Sequence, residues 1–299
     1  MYPSYLNLTK KEFENRVKRL FNILEKCKIC PRNCSVNRLK NEKGYCKVGY
    51  LPFISSYHPH FGEEPILVGR NGSGTIFFTS CNLSCIYCQN FEISQYLIGK
   101  EITFEELADI MLYLQNIGCH NINLVTPTPQ IPQILKSLSI AIDKGLKIPL
   151  VYNTNSYDSI EVLKLLNGIF DIYLPDVKYA DDYIAYRYSN AKNYFEIMKK
   201  AIKEMYKQVG NLILDKNGIA IRGLIIRHLV LPNNLAGSEK IFKFISKEIS
   251  KDVFINIMPQ YYPCYRAYEY PEFSRKITKE EFITVVRLAK KYGLKNIFF

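Results

Sequence analysis

The 299-residue sequence lacks several features that define whole classes of protein. It has no apolar run near the ~18 residues that suggest a membrane span, and residues 1–12 do not resemble a secretory signal. It also has no internal repeat, low-complexity segment or flexible linker. Because 47% of the residues are hydrophobic and 23% are charged, we expect a globular protein in a reducing, anaerobic cytoplasm, with no membrane partner.

The formal net charge is +12, from 40 basic and 28 acidic residues. The lysines are spread along amphipathic helical patterns, as in residues 198–204, and are not gathered into one basic stripe. Lysines in this arrangement are typical of solvated helix faces, so nucleic acid is not the expected partner. The excess positive charge would instead help to attract an acidic protein partner.

Three of the nine cysteines, Cys81, Cys85 and Cys88, have the spacing C-x3-C-x2-C directly after the apolar residues 75–78. Three thiolates from one loop can hold three irons of a [4Fe–4S] cube and leave the fourth iron open. Zinc is an alternative, although a structural zinc site needs a fourth ligand from elsewhere. Inert buried thiols are less consistent with the polar neighbours, which are Asn82, Ser84, Gln89 and Asn90.

A second group of four cysteines, Cys27, Cys30, Cys34 and Cys46, lies within twenty residues with the spacing C-x2-C-x3-C-x11-C. Four thiolates can complete either a zinc site or a four-thiolate iron–sulfur cluster, and the spacing leaves both open. A closed site of this kind would be structural or would relay electrons. The remaining pair, Cys119 and Cys264, are expected to be plain thiols.

The chain after residue 73 alternates between strand-like and helix-like patterns, which predicts parallel βα units. The predicted strands are residues 75–79, 121–125, 148–152, 169–174, 223–231 and 253–258. The predicted helices are residues 103–116, 131–144, 159–166, 194–208, 238–249 and 278–291. The predicted class is α/β: a partial (β/α)6 parallel barrel over residues 73–299. It follows a cysteine-rich, metal-binding region, residues 1–72, that begins with a helix at 10–24.

Loops at the carboxyl ends of parallel strands build the site in such folds, so residues at these ends are candidates for binding. Arg227 and His228 are neighbours on one strand, so only one of them can face the barrel lumen. Between the two regions, residues 57–65 are predicted to form a docking turn, in which His60 and Glu64 are the candidates if the segment is functional. The other candidates at strand ends are Thr126, Thr128, Thr154, Asn155, Asp176, Lys178, Gln260 and Tyr261.

The run from Cys81 to Cys88, with aromatic Tyr87 before the last cysteine, resembles the signature of radical S-adenosylmethionine (SAM) enzymes. Nearly the whole chain resembles the subgroup related to pyruvate formate-lyase activating enzyme. This second resemblance rests on four runs, which are Cys30-Pro31-Arg32-Asn33-Cys34, His60-Phe61-Gly62-Glu63-Glu64-Pro65, Gly72-Ser73-Gly74-Thr75-Ile76-Phe77-Phe78 and Cys88-Gln89-Asn90.

The resemblance implies that a [4Fe–4S] cluster on Cys81, Cys85 and Cys88 binds SAM, with Tyr87 beside its adenine. Thr126 and Thr128 stand where the superfamily usually has a GGE turn for the amino group of SAM. Asn153-Thr154-Asn155 and Asp176-Val177-Lys178 are similar to runs that surround SAM and a monovalent cation in the activating enzyme, although Asn153 replaces an acid. Arg227 or His228 would face the methionine or substrate carboxylate.

The implied activity is that of an oxidoreductase, in which an electron from the cluster cleaves SAM to a 5′-deoxyadenosyl radical that abstracts a hydrogen atom. A low-potential flavodoxin or ferredoxin would supply the electron. The substrate would be a glycine of a partner protein, as for activating enzymes, or a small molecule. The third reading is a non-catalytic iron–sulfur or zinc scaffold.

Overall fold

A computed structural model describes residues 2–299 and contains ten α-helices and ten strands within that part of the chain. The helices are α1 (Lys10–Ile23), α2 (Pro65–Val68), α3 (Phe91–Ser94), α4 (Phe104–Asn116), α5 (Ile131–Asp143), α6 (Ile160–Leu165), α7 (Asp182–Ser189), α8 (Tyr194–Val209), α9 (Ser238–Phe244) and α10 (Lys279–Lys291). The strands are β1 (Phe53–His60), β2 (Ser73–Phe78), β3 (Lys100–Glu101), β4 (Ile122–Val125), β5 (Leu150–Thr154), β6 (Ile172–Pro175), β7 (Ile213–Leu214), β8 (Ala220–Leu229), β9 (Phe254–Met258) and β10 (Asn296–Phe298). None of the helices within residues 2–299 is long and apolar enough to cross a membrane.

The sheet has the order β10-β9-β8-β6-β5-β4-β2-β1-β3, with β7 paired to β8 outside this path. All pairs from β2 through β10 along this path are parallel, whereas β1 pairs antiparallel with both β2 and β3. Each parallel crossover carries helical structure, as the alternating sequence pattern requires. The predicted α/β class, with a mostly parallel partial barrel, is therefore confirmed.

Most helix ends agree with the sequence prediction within a few residues because capping residues define them. Thr103 and Thr278 form capping boxes with Glu106 and Glu281 at the starts of α4 and α10. The predicted helix at 238–249 is the main exception, because α9 ends at Phe244 and a π-helical turn continues to Ile249. Helix α7 and strand β10 had no counterpart among the predicted elements.

The segment that connects the cysteine-rich region to the barrel differs from the expected docking turn. Residues 57–60 belong to β1, whose pairs with β2 include His58 with Thr75 and His60 with Ser73. The turn prediction was wrong for these four residues, because a strand that lies at one side of the sheet needs no continuous apolar pattern. Hydrogen bonds between β1 and β2 thus cross the predicted boundary at residue 72, and that division remains a prediction.

Short helix α2 closes one end of the barrel. Its Leu67 is buried against Val151, Ile172 and Ile225, side chains of β5, β6 and β8. Residues on the opposite faces of these strands, such as Tyr152, belong instead to the larger apolar core with the outer helices. Because side chains alternate along each strand, this arrangement identifies the inner face, which we call the lumen, and gives it an apolar floor.

Candidate metal centre and charged lumen

The predicted metal loop lies at the carboxyl end of β2 and is ordered by hydrogen bonds from other parts of the fold. Ser84 and Ile86 donate their backbone N–H groups to carbonyl oxygens of Ser189 and Tyr188, at the end of α7. Each cysteine sulfur has a hydrogen-bond partner. Cys81 Sγ accepts from Leu83 N and from Asn155 Nδ2, both at 3.3 Å. Cys85 Sγ accepts from Ser189 Oγ at 3.0 Å, and Cys88 Sγ lies 3.2 Å from Ser94 Oγ. Donors aimed at thiolate sulfur are characteristic of iron–sulfur sites and tune their potentials.

Burial keeps these thiols protonated, so a metal centre has to displace their protons when it binds. Burial raises the pKa of Cys81 to about 12 and that of Cys88 to about 11, with the neighbouring Cys85 thiol adding to both shifts. Within residues 2–299, no three or more His, Cys, Asp or Glu side chains form a ready-made site for a metal ion. A cluster, however, attaches each cysteine to a different iron, so its ligands need not converge on one point.

The aromatic residue of the loop, Tyr87, is buried against three other aromatic rings. Its ring stacks on Phe273 with centroids 5.3 Å apart and contacts Tyr261 and Tyr179 edge-on. Of the two residues predicted as walls after β9, Tyr261 is thus buried against Tyr87, whereas Gln260 is exposed. The segment after β9 therefore covers the tyrosine that the signature places beside adenine.

Arg227 faces the lumen and forms its central ion-pair network. Its Nε lies 2.8 Å from Asp176 Oδ1, its Nη1 lies 3.1 Å from Glu63 Oε2, and its Nη2 donates to Asn153 Oδ1 at 2.6 Å. Lys178 binds the other oxygen of Asp176 at 2.9 Å. Although burial would raise the pKa of Asp176, the two cations outweigh it and lower that pKa. The candidates Asp176, Lys178 and Arg227 are thus brought together.

Of the two acids that precede α2, Glu63 pairs with Arg227 and Glu64 lies beside it, although only Glu64 was a sequence candidate. Burial raises the pKa of Glu63 to about 7 despite the nearby Arg227. Glu64 Oε1 accepts from Asn256 Nδ2 at 3.0 Å, and its Oε2 has no hydrogen-bond partner within residues 2–299. Asn123 is fully buried, and its amide forms no hydrogen bond of ordinary geometry there, although it lies near enough to Glu63 to lower that residue's pKa. Two adjacent acids before a proline were the signal that could have identified Glu63.

His60 also lies on the lumen side of the sheet, at β1. Its ring contacts those of His58 and Phe77 with centroids 5.6 and 5.7 Å apart, and His58 stacks on Phe77. Burial and the neighbouring His58 lower the pKa of His60. The pair is separate from the Arg227 network, because no hydrogen bond among the described residues joins them.

Two of the threonine candidates, Thr128 and Thr154, bind a buried carboxylate outside the lumen network. Thr128 and Thr154 both donate to the fully enclosed carboxylate of Asp158 at 2.7 Å, and Tyr152 donates to it at 2.8 Å. This network lies on the helix side of β5, so it fixes the loops without facing the lumen. Thr126 follows β4 with a left-handed backbone at φ 60°. Asn155 instead reaches the metal loop, where its amide binds Cys81 and Asn82.

His228 points away from the lumen, as alternation with Arg227 requires. The ring lies between the carbonyl oxygen of Val177 and Ser238 Oγ, each 2.9 Å away. Because a carbonyl only accepts, Nδ1 carries the proton and Nε2 accepts from the serine hydroxyl. Burial lowers the pKa of His228 to about 4. The residue thus supports β8 from the helix side and does not contact the lumen.

This buried histidine predicts a loss of stability in acid. The unfolded chain binds a proton below its pKa of about 6.5, whereas the folded chain does so only near 4, so stability falls as pH drops between these values. We expect wild type to lose about 2 kcal/mol more than His228→Asn between pH 7 and pH 5. Urea unfolding at both pH values measures this difference. Comparison with the variant is needed because the raised pKa of Glu63 acts in the opposite direction. Equal losses of unfolding free energy in wild type and in His228→Asn would contradict the lowered pKa of the buried His228.

The four N-terminal cysteines line one small pocket. Cys27, Cys30 and Cys46 are buried, and Cys34 is partly exposed. Tyr45 N donates to Cys34 Sγ at 3.4 Å, and burial raises the pKa of both Cys30 and Cys46. The two remaining cysteines lie elsewhere: Cys119 is buried in the core, and Cys264 donates to the carbonyl oxygen of Tyr87.

Two relatives match most of the length of this chain. An uncharacterized protein of Methanocaldococcus jannaschii is 40% identical over 287 residues, which span 93% of this chain and 78% of that protein. A second uncharacterized protein of the same organism is 23% identical over 296 residues, 91% of this chain and 80% of that protein. Neither name indicates a substrate or distinguishes the activating-enzyme subgroup.

Two solved structures of low identity were also matched. Methylornithine synthase is 13% identical with a TM-score of 0.49, over 98% of this chain and 77% of that chain. HydG, a maturase of the [FeFe]-hydrogenase, is 12% identical with a TM-score of 0.48, over 97% of this chain and 62% of that chain. The family assignment does not rest on them. The model described as "Radical SAM superfamily" matches residues 75–245, more than half of the sequence and the part that carries Cys81, Cys85 and Cys88. The chain belongs to the radical SAM superfamily.

Proposed function

We propose that this radical SAM enzyme abstracts a hydrogen atom from a small polar molecule held in the lumen. The observation that carries the proposal is the pair of unsatisfied polar groups there, Asn123 and Glu64 Oε2. A buried polar atom without a partner costs about 1–3 kcal/mol, so such atoms are expected where a ligand or water completes the hydrogen bonds. Together they offer an amide donor, an amide acceptor and a carboxylate acceptor.

The residues around the metal loop have separate roles in this proposal. The cluster, when bound, supplies the electron that cleaves SAM. The positive charge of Lys178 lowers the pKa of each of the three thiols, and in this proposal its ammonium group would hold the carboxylate of SAM. Asn155 would orient Cys81, and Tyr87 would position the adenine. Thr126 would present its backbone to the amino group.

Asp176 would act through Lys178 and Arg227, because each of its oxygens already binds one of these cations. Its carboxylate fixes both cationic side chains, which lie 16% exposed. A bridging monovalent cation is therefore not part of the proposal. Thr128 and Thr154 would keep the loops after β4 and β5 in place through Asp158.

Deuterium transfer distinguishes a small substrate from a protein one. Extract from deuterium-grown cells that contain this protein is separated into a low-molecular-weight filtrate and a protein fraction. Each is incubated with reconstituted enzyme, unlabelled SAM and dithionite. We expect the filtrate to give 5′-deoxyadenosine heavier by one deuterium, since the radical takes its hydrogen from the substrate. Deuterium from the protein fraction alone, with a glycyl radical signal, would contradict the proposal and favour the activase.

A further inference from the structure

We propose that the four-cysteine site holds an iron–sulfur cluster that passes electrons to the cluster on Cys81, Cys85 and Cys88. The inference rests on the radical SAM reaction at that loop but not on the identity of the substrate. It is carried by two observations: a buried arginine that needs an anionic partner, and hydrogen bonds that join the two cysteine loops.

Arg38 is fully buried beside the four cysteines. Its guanidinium donates to the carbonyl oxygens of Gly49 and Pro129 and lies 4.0 Å from Cys27 Sγ. Within residues 2–299, no carboxylate shares its hydrogen bonds. A buried charge without a counter-charge is costly, so this position requires an anionic neighbour. Four thiolates on a metal centre would provide that negative charge next to Arg38.

The surroundings of these cysteines favour a cluster over a single zinc ion. The side chains surround a cavity, and the described residues contain no group of ligands that converges on one ion. Tyr45 donates its backbone N–H to Cys34 Sγ at 3.4 Å, and the Arg38 guanidinium lies 4.0 Å from Cys27 Sγ. Hydrogen bonds to sulfur and a nearby positive charge stabilise the reduced form of an iron–sulfur cluster, whereas zinc has no redox change to tune.

Two hydrogen bonds connect this site to the radical SAM loop, and each joins residues at or next to cysteines of both sets. Ser80, which precedes Cys81, donates its hydroxyl to the carbonyl oxygen of Cys46. Tyr45, which precedes Cys46, has its hydroxyl 2.5 Å from the hydroxyl of Ser84, the residue before Cys85.

Arg32 adds a third connection between the two loops. Its Nε donates to the carbonyl oxygen of Asn82 at 2.7 Å, and its guanidinium lies over the Tyr45 ring, 3.8 Å from the centroid. The two cysteine loops are thus in direct contact. In each transfer one electron leaves the four-cysteine cluster and enters the three-cysteine cluster, and no bond forms or breaks. A low-potential one-electron carrier protein then reduces the first cluster again.

Metal content and spectroscopy test the cluster first. In the Cys81/Cys85/Cys88→Ala triple variant, we expect ~4 irons per chain and an EPR signal after reduction, against ~8 irons in wild type. In reduced wild type, the two signals should be broadened by magnetic coupling between adjacent clusters. Zinc in place of iron in the folded triple variant would overturn the proposal, as would a metal-free one.

The relay itself is tested by changing the electron source. Cys34→Ser removes the least enclosed ligand, and Tyr45→Phe removes only the hydroxyl that meets Ser84. With reduced flavodoxin we expect Cys34→Ser to form 5′-deoxyadenosine at least ~10-fold more slowly than wild type, whereas the small reductant dithionite should restore the rate to within ~2-fold. Tyr45→Phe should keep ~8 irons per chain and lose less of the flavodoxin-driven rate.

A purely structural site would give a different result. If Cys34→Ser forms 5′-deoxyadenosine equally slowly with flavodoxin and with dithionite, the site only supports the fold. If it keeps the wild-type rate with both reductants, electrons bypass the site. Either result overturns the relay. Activity of wild type with dithionite is independent of the relay, so failure of this inference is distinguishable from failure of SAM cleavage.

Discussion

Replacing Cys85 with alanine should reduce 5′-deoxyadenosine formation at least ~100-fold. Cys85 is buried, accepts a hydrogen bond from Ser189 and lies between the other two cysteines of the loop. Three thiolates would hold three irons of the cube, so loss of the Cys85 thiolate would leave a second iron without a protein ligand. Product analysis under anaerobic conditions, with EPR of the reduced protein, measures both losses.

Cys119→Ala is the matched control for this variant. Cys119 is also a buried free cysteine, but it belongs to the core and lies outside both cysteine sets. We expect this variant to retain its iron and its SAM cleavage. SAM cleavage that survives Cys85→Ala would contradict the assignment of the loop.

Replacing Arg227 with alanine should lower the free energy of unfolding by about 3–5 kcal/mol. The change removes one cation that pairs with both Asp176 and Glu63, and Lys178 can compensate only Asp176. Glu63 can protonate because its pKa is already about 7. The pKa of Glu63 in the folded protein lies above its unfolded value, so the unpaired Glu63 carboxylate costs more stability as pH rises. The loss of unfolding free energy in Arg227→Ala should therefore be greater at pH 8 than at pH 6.

Arg266→Ala tests whether the effect comes from burial of the pair. Arg266 and Glu269 form an ion pair at 2.7 Å, but their side chains are 48% and 53% exposed. Exposed pairs contribute about 0–1 kcal/mol, so urea unfolding of this variant should be close to wild type. A loss for Arg227→Ala as small as that for Arg266→Ala would show that the lumen network is solvated and not structural.

The sequence predicted the parallel βα arrangement because each βα unit repeats a local pattern and right-handed crossovers leave few alternatives. It also predicted that Cys81, Cys85 and Cys88 would follow the first parallel strand. It did not predict β1, because alternation is interrupted near Ser56, where the register with β2 shifts. Helix α7 was missed for a related reason, since its eight residues carry only a weak apolar pattern.

The lumen was less predictable than the metal loop because its partners come from distant parts of the chain. Glu63 and Arg227 are 164 residues apart, and no local spacing relates them. Alternation indicated that one of Arg227 and His228 faces inward, but the choice depended on where β8 pairs with β6 and β9. The threonines at strand ends were attractive by position, yet the buried carboxylate of Asp158 already occupies Thr128 and Thr154.

The most direct test of the account is SAM cleavage by the wild-type protein. The protein is reconstituted anaerobically with iron and sulfide, supplied with SAM and dithionite, and analysed for products by mass spectrometry. We expect equal amounts of 5′-deoxyadenosine and methionine from wild type and neither above background from the Cys81/Cys85/Cys88→Ala triple variant. No 5′-deoxyadenosine from iron-loaded wild type, or equal amounts from both proteins, would contradict this expectation.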